Sequence, residues 1–334
     1  MTKMATLGIA ITPSKSPLEY VKIAQLCETM GVEYIWVADE IPSSPYRDPF
    51  VTMTTLALNT KKVKLGTDIT NPYTRHPAHI AAALLSIDEI SNGRAVIGLG
   101  PGGSLTLQPL GIRLWDKPLL TVREAVNLLR RLVNGEIVNY DSPPMKMVRV
   151  QMFRKSKIPI YLAARGEGML SLAGEIADGV LPTSPIKLLK NQVKLIKESA
   201  KKAGRDISKI DIANTIPLSV SMNENQAREA IKPEITYMIT NLPKSWLVQL
   251  DMSENEQEIV RKALFKGGII EAQKEIKDKM VDVLGIAGTP KICAQKFREM
   301  MNAGATQVVL SSPFGPDLKE AFNLIKDDVI PRLK

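Results

Sequence analysis

Histidine and cysteine are nearly absent from this chain: its 334 residues include two of each. Cys27 and Cys293 stand far apart in amphipathic helical patterns, and there is no CxxC pair. That reads as two core thiols rather than a disulfide. With His76 and His79 the whole imidazole supply, a zinc centre is not expected. Aromatics are also scarce, at 5%. The net charge of +9 comes with lysines spread over helical stretches such as 187–202 and 262–279, interleaved with glutamates. Without interleaved aromatics this is a solvated basic surface and not a nucleic-acid groove, though its field would favour an anionic ligand. No apolar run approaches the roughly 20 residues of a membrane span. The first residues lack a signal peptide's apolar run and small-residue cleavage site, so a cytoplasmic protein is expected.

What is present is ordinary globular material, 44% hydrophobic and 24% charged, arranged as strand-like runs alternating with helical periods. Strands are predicted at 7–11, 34–38, from 63, 95–99, 158–163, 179–181, 210–220 and 306–310. Helices fall between them, the first entered through Ser16-Pro17 and stopped by Gly31. Ile137–Val150 reads as a hairpin outside the repeat, and 222–282 as a helical insertion before the last βα unit. Eight strands with helical crossovers predict an α/β fold, a (β/α)8 TIM barrel, as one domain over 1–334. The glycine fingerprint of a dinucleotide-binding open sheet is missing after the first strand, where Ile11-Thr-Pro-Ser-Lys-Ser follows.

Ligands of such barrels bind where strands open into loops at their C-terminal ends. The richest exit is Val63-Lys-Leu-Gly-Thr-Asp-Ile-Thr-Asn-Pro-Tyr-Thr-Arg-His-Pro77, a buried strand that turns polar at Asp68. Asp68, Ile69, Thr70 and Asn71 are candidate binding residues there; a turn accounts for Asn71-Pro72 but not for a carboxylate within the strand. Asp39 ends the second strand, either holding a ligand or capping the Pro-rich loop 41–49 that follows. Glu40 beside it would serve as an acid if burial raised its pKa. The run Gly98–Ser104, with Gly100 and Gly102, would let a flat ring approach the backbone, although tight turns use such glycines too. Ala163-Ala-Arg-Gly-Glu-Gly-Met169 leads from the fifth strand into a helix. Ala164, Arg165, Gly166, Glu167 and Gly168 are candidates for an anion cradle, the other reading being an ordinary βα turn. His76 and His79 open a helix, near a pocket or simply at its surface end.

Several of these stretches together resemble the bacterial-luciferase-like superfamily. They are Lys64–Tyr73, Glu89–Gly98, Ile158–Ala164 and Ala177–Val180, in that order. The tail, through Ile286–Pro290, Ala303–Val309 and Ser312–Asp317, is similar to the deazaflavin-dependent methylenetetrahydromethanopterin reductases. The resemblance implies an oxidoreductase that binds coenzyme F420, or FMN in the oxygen-using branch, and that works as a homodimer. It implies a non-proline cis peptide at Asp68-Ile69 behind the ring and an acidic residue at Asp39; on the residues themselves, Asp39 and Glu40 are the catalytic candidates and the turn after the fifth strand the candidate for holding the cofactor's phosphate. The chain departs from the reductase pattern at Ala10, Glu40 and Gly103, so the cofactor scaffold is retained more fully than the reactive groups. A monooxygenase using FMN and a non-catalytic flavin-binding barrel stay open as alternatives. Substrate would stack under loops 40–49 and 100–117, with 222–282 as a lid.

Overall fold

The computed structural model describes residues 5–40, 46–103, 107–112, 117–142 and 145–333. Residues 41–45 of the Pro-rich loop, and 104–106 and 113–116 of the loop after the fourth strand, lie outside the described residues. In chain order the first elements are β1 (Thr6–Ile11), α1 (Glu19–Met30), β2 (Tyr34–Val37), α2 (Pro49–Asn59), β3 (Lys64–Thr67), α3 (Pro77–Ser91) and β4 (Ala95–Leu99). Next come α4 (Pro118–Val133), the hairpin β5 (Val138–Tyr140) and β6 (Met147–Val150), β7 (Ile160–Ala163), α5 (Glu167–Ile176), β8 (Gly179–Leu181) and α6 (Ile186–Lys202). The chain continues with β9 (Asp211–Val220), four helices, α7 (Glu224–Thr240), α8 (Lys244–Gln249), α9 (Glu254–Ala272) and α10 (Asp278–Leu284), then β10 (Ile286–Gly288), α11 (Pro290–Asn302), β11 (Gln307–Phe314) and α12 (Leu318–Leu324).

The fold is the expected (β/α)8 barrel. Strands hydrogen-bond in the order β10-β9-β11-β1-β2-β3-β4-β7-β8, and β8 returns to β9 through Gly179↔Asp211 and Val180↔Ile212. One strand was not foreseen. Ile286–Gly288 pairs in parallel with Leu218–Val220, and its three residues are too few to show any periodicity. The first helix also begins later than Ser16-Pro17 implied, at Glu19, because Leu18 rather than Ser16 stands at its N-cap.

The chain divides into two compact units. One comprises residues 7–182 and 194–213, and the candidate residues lie in it. Its strands run in register from Gly8↔Tyr34 through Tyr34↔Lys64, Gly66↔Val96 and Gly98↔Tyr161 to Tyr161↔Gly179. Trp36 of β2 meets Tyr161 of β7 edge to face at 5.0 Å, across two intervening strands. Only side chains on the concave face of a curled sheet can meet that way, so both point inward. Glycines opposite make the room: a Cβ at Gly66 would lie 2.5 Å from the Trp36 ring, and one at Gly179 2.2 Å from Tyr161.

Below Trp36 the barrel is closed by a hydrogen-bonded floor at the strand N-termini. Lys64 Nζ donates to the Tyr34 hydroxyl at 2.9 Å, and the Tyr161 hydroxyl donates to Asp211 Oδ2 at 2.8 Å. Burial, then the Asp211 carboxylate, keep the Tyr161 phenol protonated. With that end filled, the strand C-termini are left to hold a ligand.

The second unit comprises residues 1–6, 183–193 and 214–334. Its α7, α8, α9 and α10 bury Ile231, Ile235, Ile239, Leu247, Val260 and Leu284 in one apolar cluster. Ser253 and Glu256 form a capping box at the start of α9.

Candidate active site at the strand exits

The third exit is built by continuing the ladder past the last regular residue of β3. Asp68 N–H donates to Val37 at 2.8 Å on one side, and Thr70 N–H to Gly98 at 3.0 Å on the other. Gly100 N–H then returns to Thr70 at 3.0 Å. The Asp68-Ile69 peptide is cis, at the position the resemblance implied. The Thr67 hydroxyl donates to Gly98 O at 2.7 Å and accepts from Gly98 N–H at 3.1 Å, so backbone groups around the bulge stay paired. Ile69 lies over β4: a Cβ at Gly98 would stand 3.1 Å from Ile69 Cγ2, and one at Gly100 2.3 Å from Ile69 Cδ1. These two glycines therefore make room for Ile69. Gly102, at φ +75°, takes the left-handed turn that follows, and a Cβ at Gly103 would meet nothing.

Asp39 and Thr70 face each other across this exit. Both are buried, and neither Asp39 Oδ2 nor Thr70 Oγ1 makes a well-aligned hydrogen bond among the described residues. Burial pushes the Asp39 carboxyl up, while the neighbouring Thr70 hydroxyl and Arg75 guanidinium pull it down. Arg75 Nε stands 3.5 Å from Asp39 Oδ2, an ion-pair contact, and its other end meets Asp48 Oδ2 at 2.5 Å. Asp48 in turn caps α2 by accepting from Phe50 and Val51 N–H, and the Arg75 guanidinium lies 4.9 Å from the centre of the Phe50 ring. Arg75 thus ties the carboxylate after β2 to the start of α2. Sequence reasoning passed over this link. The signal available was Asp48-Pro49, an N-cap followed by proline at the first helical position.

A second charged group gathers Asp68, Glu40 and Arg165 from the exits of β3, β2 and β7. Asp68 is half-buried; desolvation and then the Glu40 charge raise its carboxyl from an ordinary 3.8 to about 6, against the pull of Arg165. Glu40 is pushed up by its surroundings, pulled down by Arg165, and pushed up again by Asp39. Desolvation by the surrounding groups draws the Arg165 guanidinium down, and the Asp68 and Glu40 charges draw it back up. Glu40 and Arg165 both reach solvent, so their coupling is screened more than that of Asp68.

The remaining candidates divide between binding and scaffold. Asn71 is buried with its side-chain oxygen engaged by Tyr73 N–H, Thr74 N–H and the Thr74 hydroxyl, an Asx turn that shapes the loop. His76 Nδ1 accepts from Ala78 N–H at 3.2 Å and caps α3; His79 stands one turn along, with its ring 6.4 Å away. Ala164 is buried, whereas Arg165, Gly166, Glu167 and Gly168 are exposed at the start of α5. No side chain caps that helix, so its first amides remain available to an anion. Gly168 is also a packing residue, since a Cβ there would lie 2.8 Å from Leu119.

Comparison with known proteins fits this geometry. The model of the luciferase-like monooxygenase family matches residues 4–307. The chain belongs to that family. Among similar family members, the 5,10-methylenetetrahydromethanopterin reductase of Methanolobus tindarius is 36% identical over 97% of this chain and 99% of its own. That of Archaeoglobus fulgidus is also 36% identical, over 98% and 99%. Among solved luciferase-like structures, the coenzyme F420 dependent tetrahydromethanopterin reductase from Methanopyrus kandleri superposes with a TM-score of 0.93 at 32% identity, covering 99% of this chain and all of that one. An F420-dependent secondary alcohol dehydrogenase, at 19% identity and a TM-score of 0.81, shares the fold.

Proposed function

We propose that this chain is a coenzyme F420-dependent oxidoreductase of the methylenetetrahydromethanopterin reductase type, moving a hydride between the deazaflavin and a carbon of a small organic substrate. The observation that carries this reading is the identity of about a third, over essentially the whole chain, with proteins bearing that activity.

The residues present suit such a cofactor. The exits of β3 and β2 offer a buried hydroxyl at Thr70 and a buried carboxylate oxygen at Asp39 with no aligned hydrogen-bond partner among the described residues, polar atoms that a ring's edge would satisfy. Ile69 would support one side of the ring, while Gly100 and Gly102 keep the strand edge low. Arg165 and the first amides of α5, with Gly166 and Gly168, would hold the phosphate; the exposed Glu167 would turn its side chain to solvent. When bound, the deazaflavin supplies or accepts the hydride. Each hydride delivered must be matched by one proton, so a site of this kind needs a group that holds a proton near neutral pH. Asp68, at about 6, meets that need, and Glu40 is shifted in the same direction. Arg75, 3.5 Å from Asp39 Oδ2, favours the charged form of that carboxyl against burial and would help to aim it.

We infer further, from the family resemblance, that the chain acts as a homodimer in the cytoplasm. Among the described residues no helix is long and apolar enough to cross a membrane.

The test is reconstitution. The purified chain should bind F420 and, with the reduced cofactor and 5,10-methylenetetrahydromethanopterin, regenerate the visible band of oxidised deazaflavin. Stoichiometric FMN with oxygen-dependent turnover would replace this reading by a monooxygenase. Tight deazaflavin binding with no hydride exchange against a broad substrate panel would leave a non-catalytic binding barrel.

A further inference from the structure

Three aromatic rings fill the bottom of the barrel, in the unit that carries the candidate site. Trp36 and Tyr161 meet edge to face with ring centres 5.0 Å apart. Tyr34 lies parallel to Trp36 at 5.7 Å and stands 6.3 Å from Tyr161. All three are buried, Trp36 completely. A plug for this end of the barrel would need volume and nothing more. Tryptophan and tyrosine are also the aromatic side chains that give up an electron most readily, and these rings are close enough for an electron to pass directly from one to the next.

The two phenols are not equivalent. The Tyr161 hydroxyl donates to Asp211 Oδ2 at 2.8 Å, so a carboxylate stands ready to take its proton. An oxidised phenol is a strong acid, and an acceptor already hydrogen-bonded to it lets electron and proton leave together. Tyr34 faces the opposite charge. Lys64 Nζ donates to its hydroxyl at 2.9 Å and lies 4.6 Å from its ring centre, an attraction that removing an electron from the ring would forfeit. The cation therefore holds the electron on Tyr34, while the carboxylate releases one from Tyr161. At the other end, Trp36 precedes Asp39 of the candidate site by three residues of chain, so the path starts beneath the exits.

We propose that Trp36 and Tyr161 form a relay that draws one-electron oxidations from the barrel mouth down to its floor. An oxidant above Trp36 takes one electron from the indole. Tyr161 refills it, losing one electron and its phenolic proton, and Asp211 Oδ2 gains that proton. The products are a neutral tyrosyl radical, a carboxylic acid and an oxidant reduced by one electron. Return of the electron to Tyr161, and of the proton from Asp211, closes the cycle without consuming a further reagent. The oxidant is of the class of flavin or deazaflavin rings excited by light, which accept an electron far more strongly than the same rings in the dark. The relay would spare a bound substrate and the side chains of the exits from that chemistry.

Flash photolysis of the full chain, with no ligand added, tests this. In a parent carrying Trp115→Phe and Trp246→Phe, Trp36 is the sole indole. A laser flash at the red edge of tryptophan absorption, where tyrosine is transparent, then ejects an electron from Trp36 alone, and a scavenger in solution removes it. The broad visible absorption of the tryptophan radical should decay as the narrow violet band of a tyrosyl radical rises. Tyr161→Phe should lose the tyrosyl band and prolong the tryptophan radical, whereas Tyr34→Phe should keep both as in the parent. Heavy water and Asp211→Asn should each slow the transfer, every variant being checked for its folded spectrum. An undiminished tyrosyl band in folded Tyr161→Phe would overturn the relay. So would its loss in Tyr34→Phe, or a transfer indifferent to both heavy water and Asp211→Asn, and these outcomes decide the matter even if Tyr161→Phe does not fold. The relay seen in a chain that shows no hydride transfer would sink the activity proposed above and keep the relay; turnover in a chain without the relay would do the reverse.

Discussion

Asp68 occupies a position where a carboxylate is costly, and the cost depends on pH. Folded, it titrates at about 6 against an ordinary 3.8. Between those values the folded chain retains a proton that the unfolded chain has released, so stability falls as pH rises through that window and stays lower above it. Asp68→Asn should therefore raise the unfolding free energy at pH 8 by about 1–2 kcal/mol, a figure discounted for partial exposure, and change little near pH 4. Denaturant titrations of both proteins at the two pH values check the sign. Arg75 makes a complementary case. It pulls Asp39 down against the larger effect of burial, so Arg75→Met should move the acid limb of the pH dependence of cofactor binding upward. Arg75→Lys, keeping the charge without the planar fork that spans Asp39 and Asp48, should restore part of it. A purely structural role for Arg75 would lower stability and leave the profile where it was.

At the scale of elements, the third exit rests on one side chain seated over two glycines. A Cβ at Gly98 would come within 2.1 Å of the Thr67 carbonyl, which is backbone and cannot swing aside. At Gly100 the obstacle is Ile69 Cδ1, the free end of a flexible chain. Gly98→Ala should accordingly cost about 2–3 kcal/mol and Gly100→Ala about 1 or less. Ile69→Val, which removes that terminal carbon, should relieve the second and not the first, as a double-mutant cycle of unfolding free energies would show. These strand ends also mark what the sequence could and could not reveal. Strand-to-helix alternation, the αL stop at Gly31 and the polar turn at Asp68 leave periodic or compositional marks, and the structure has all three. Ile286–Gly288 leaves none, because a three-residue strand takes its identity from its partner β9. The ties of Arg75 to Asp39 and of Arg165 to Asp68 were hidden for a related reason. They join side chains from different exits, and only the curl of the sheet makes them neighbours.

For the molecule as a whole, charge and ligand linkage dominate. The chain carries +9 with its lysines dispersed over helical surfaces. F420 carries an anionic glutamyl tail, so association with longer-tailed forms should be faster at low salt and lose that advantage as the Debye length falls below about 10 Å. Stopped-flow association rates against ionic strength measure this. Tail length having no effect at any salt would place the tail away from the basic surface. Cofactor at about 100 times its Kd should also stabilise the fold by about 2.7 kcal/mol. Because the chain comprises two compact units, thermal melts should be followed by more than one probe. Residues 7–182 hold the candidate site, so a probe in that unit should report the rise.

Trp36 offers such a probe. Its indole is fully buried, enclosed by Tyr34, Tyr161 and Gly66, and lies two residues of strand below Ala38, about 7 Å of chain. A coloured heterocycle lodged above it would absorb in the range where tryptophan emits, at a separation where energy transfer is close to complete. The barrel's own luminescence should then dim in proportion to occupancy. The part of the quenching that Trp36→Phe removes, with Trp115 and Trp246 kept, is the part that reports from this position, without any attached dye.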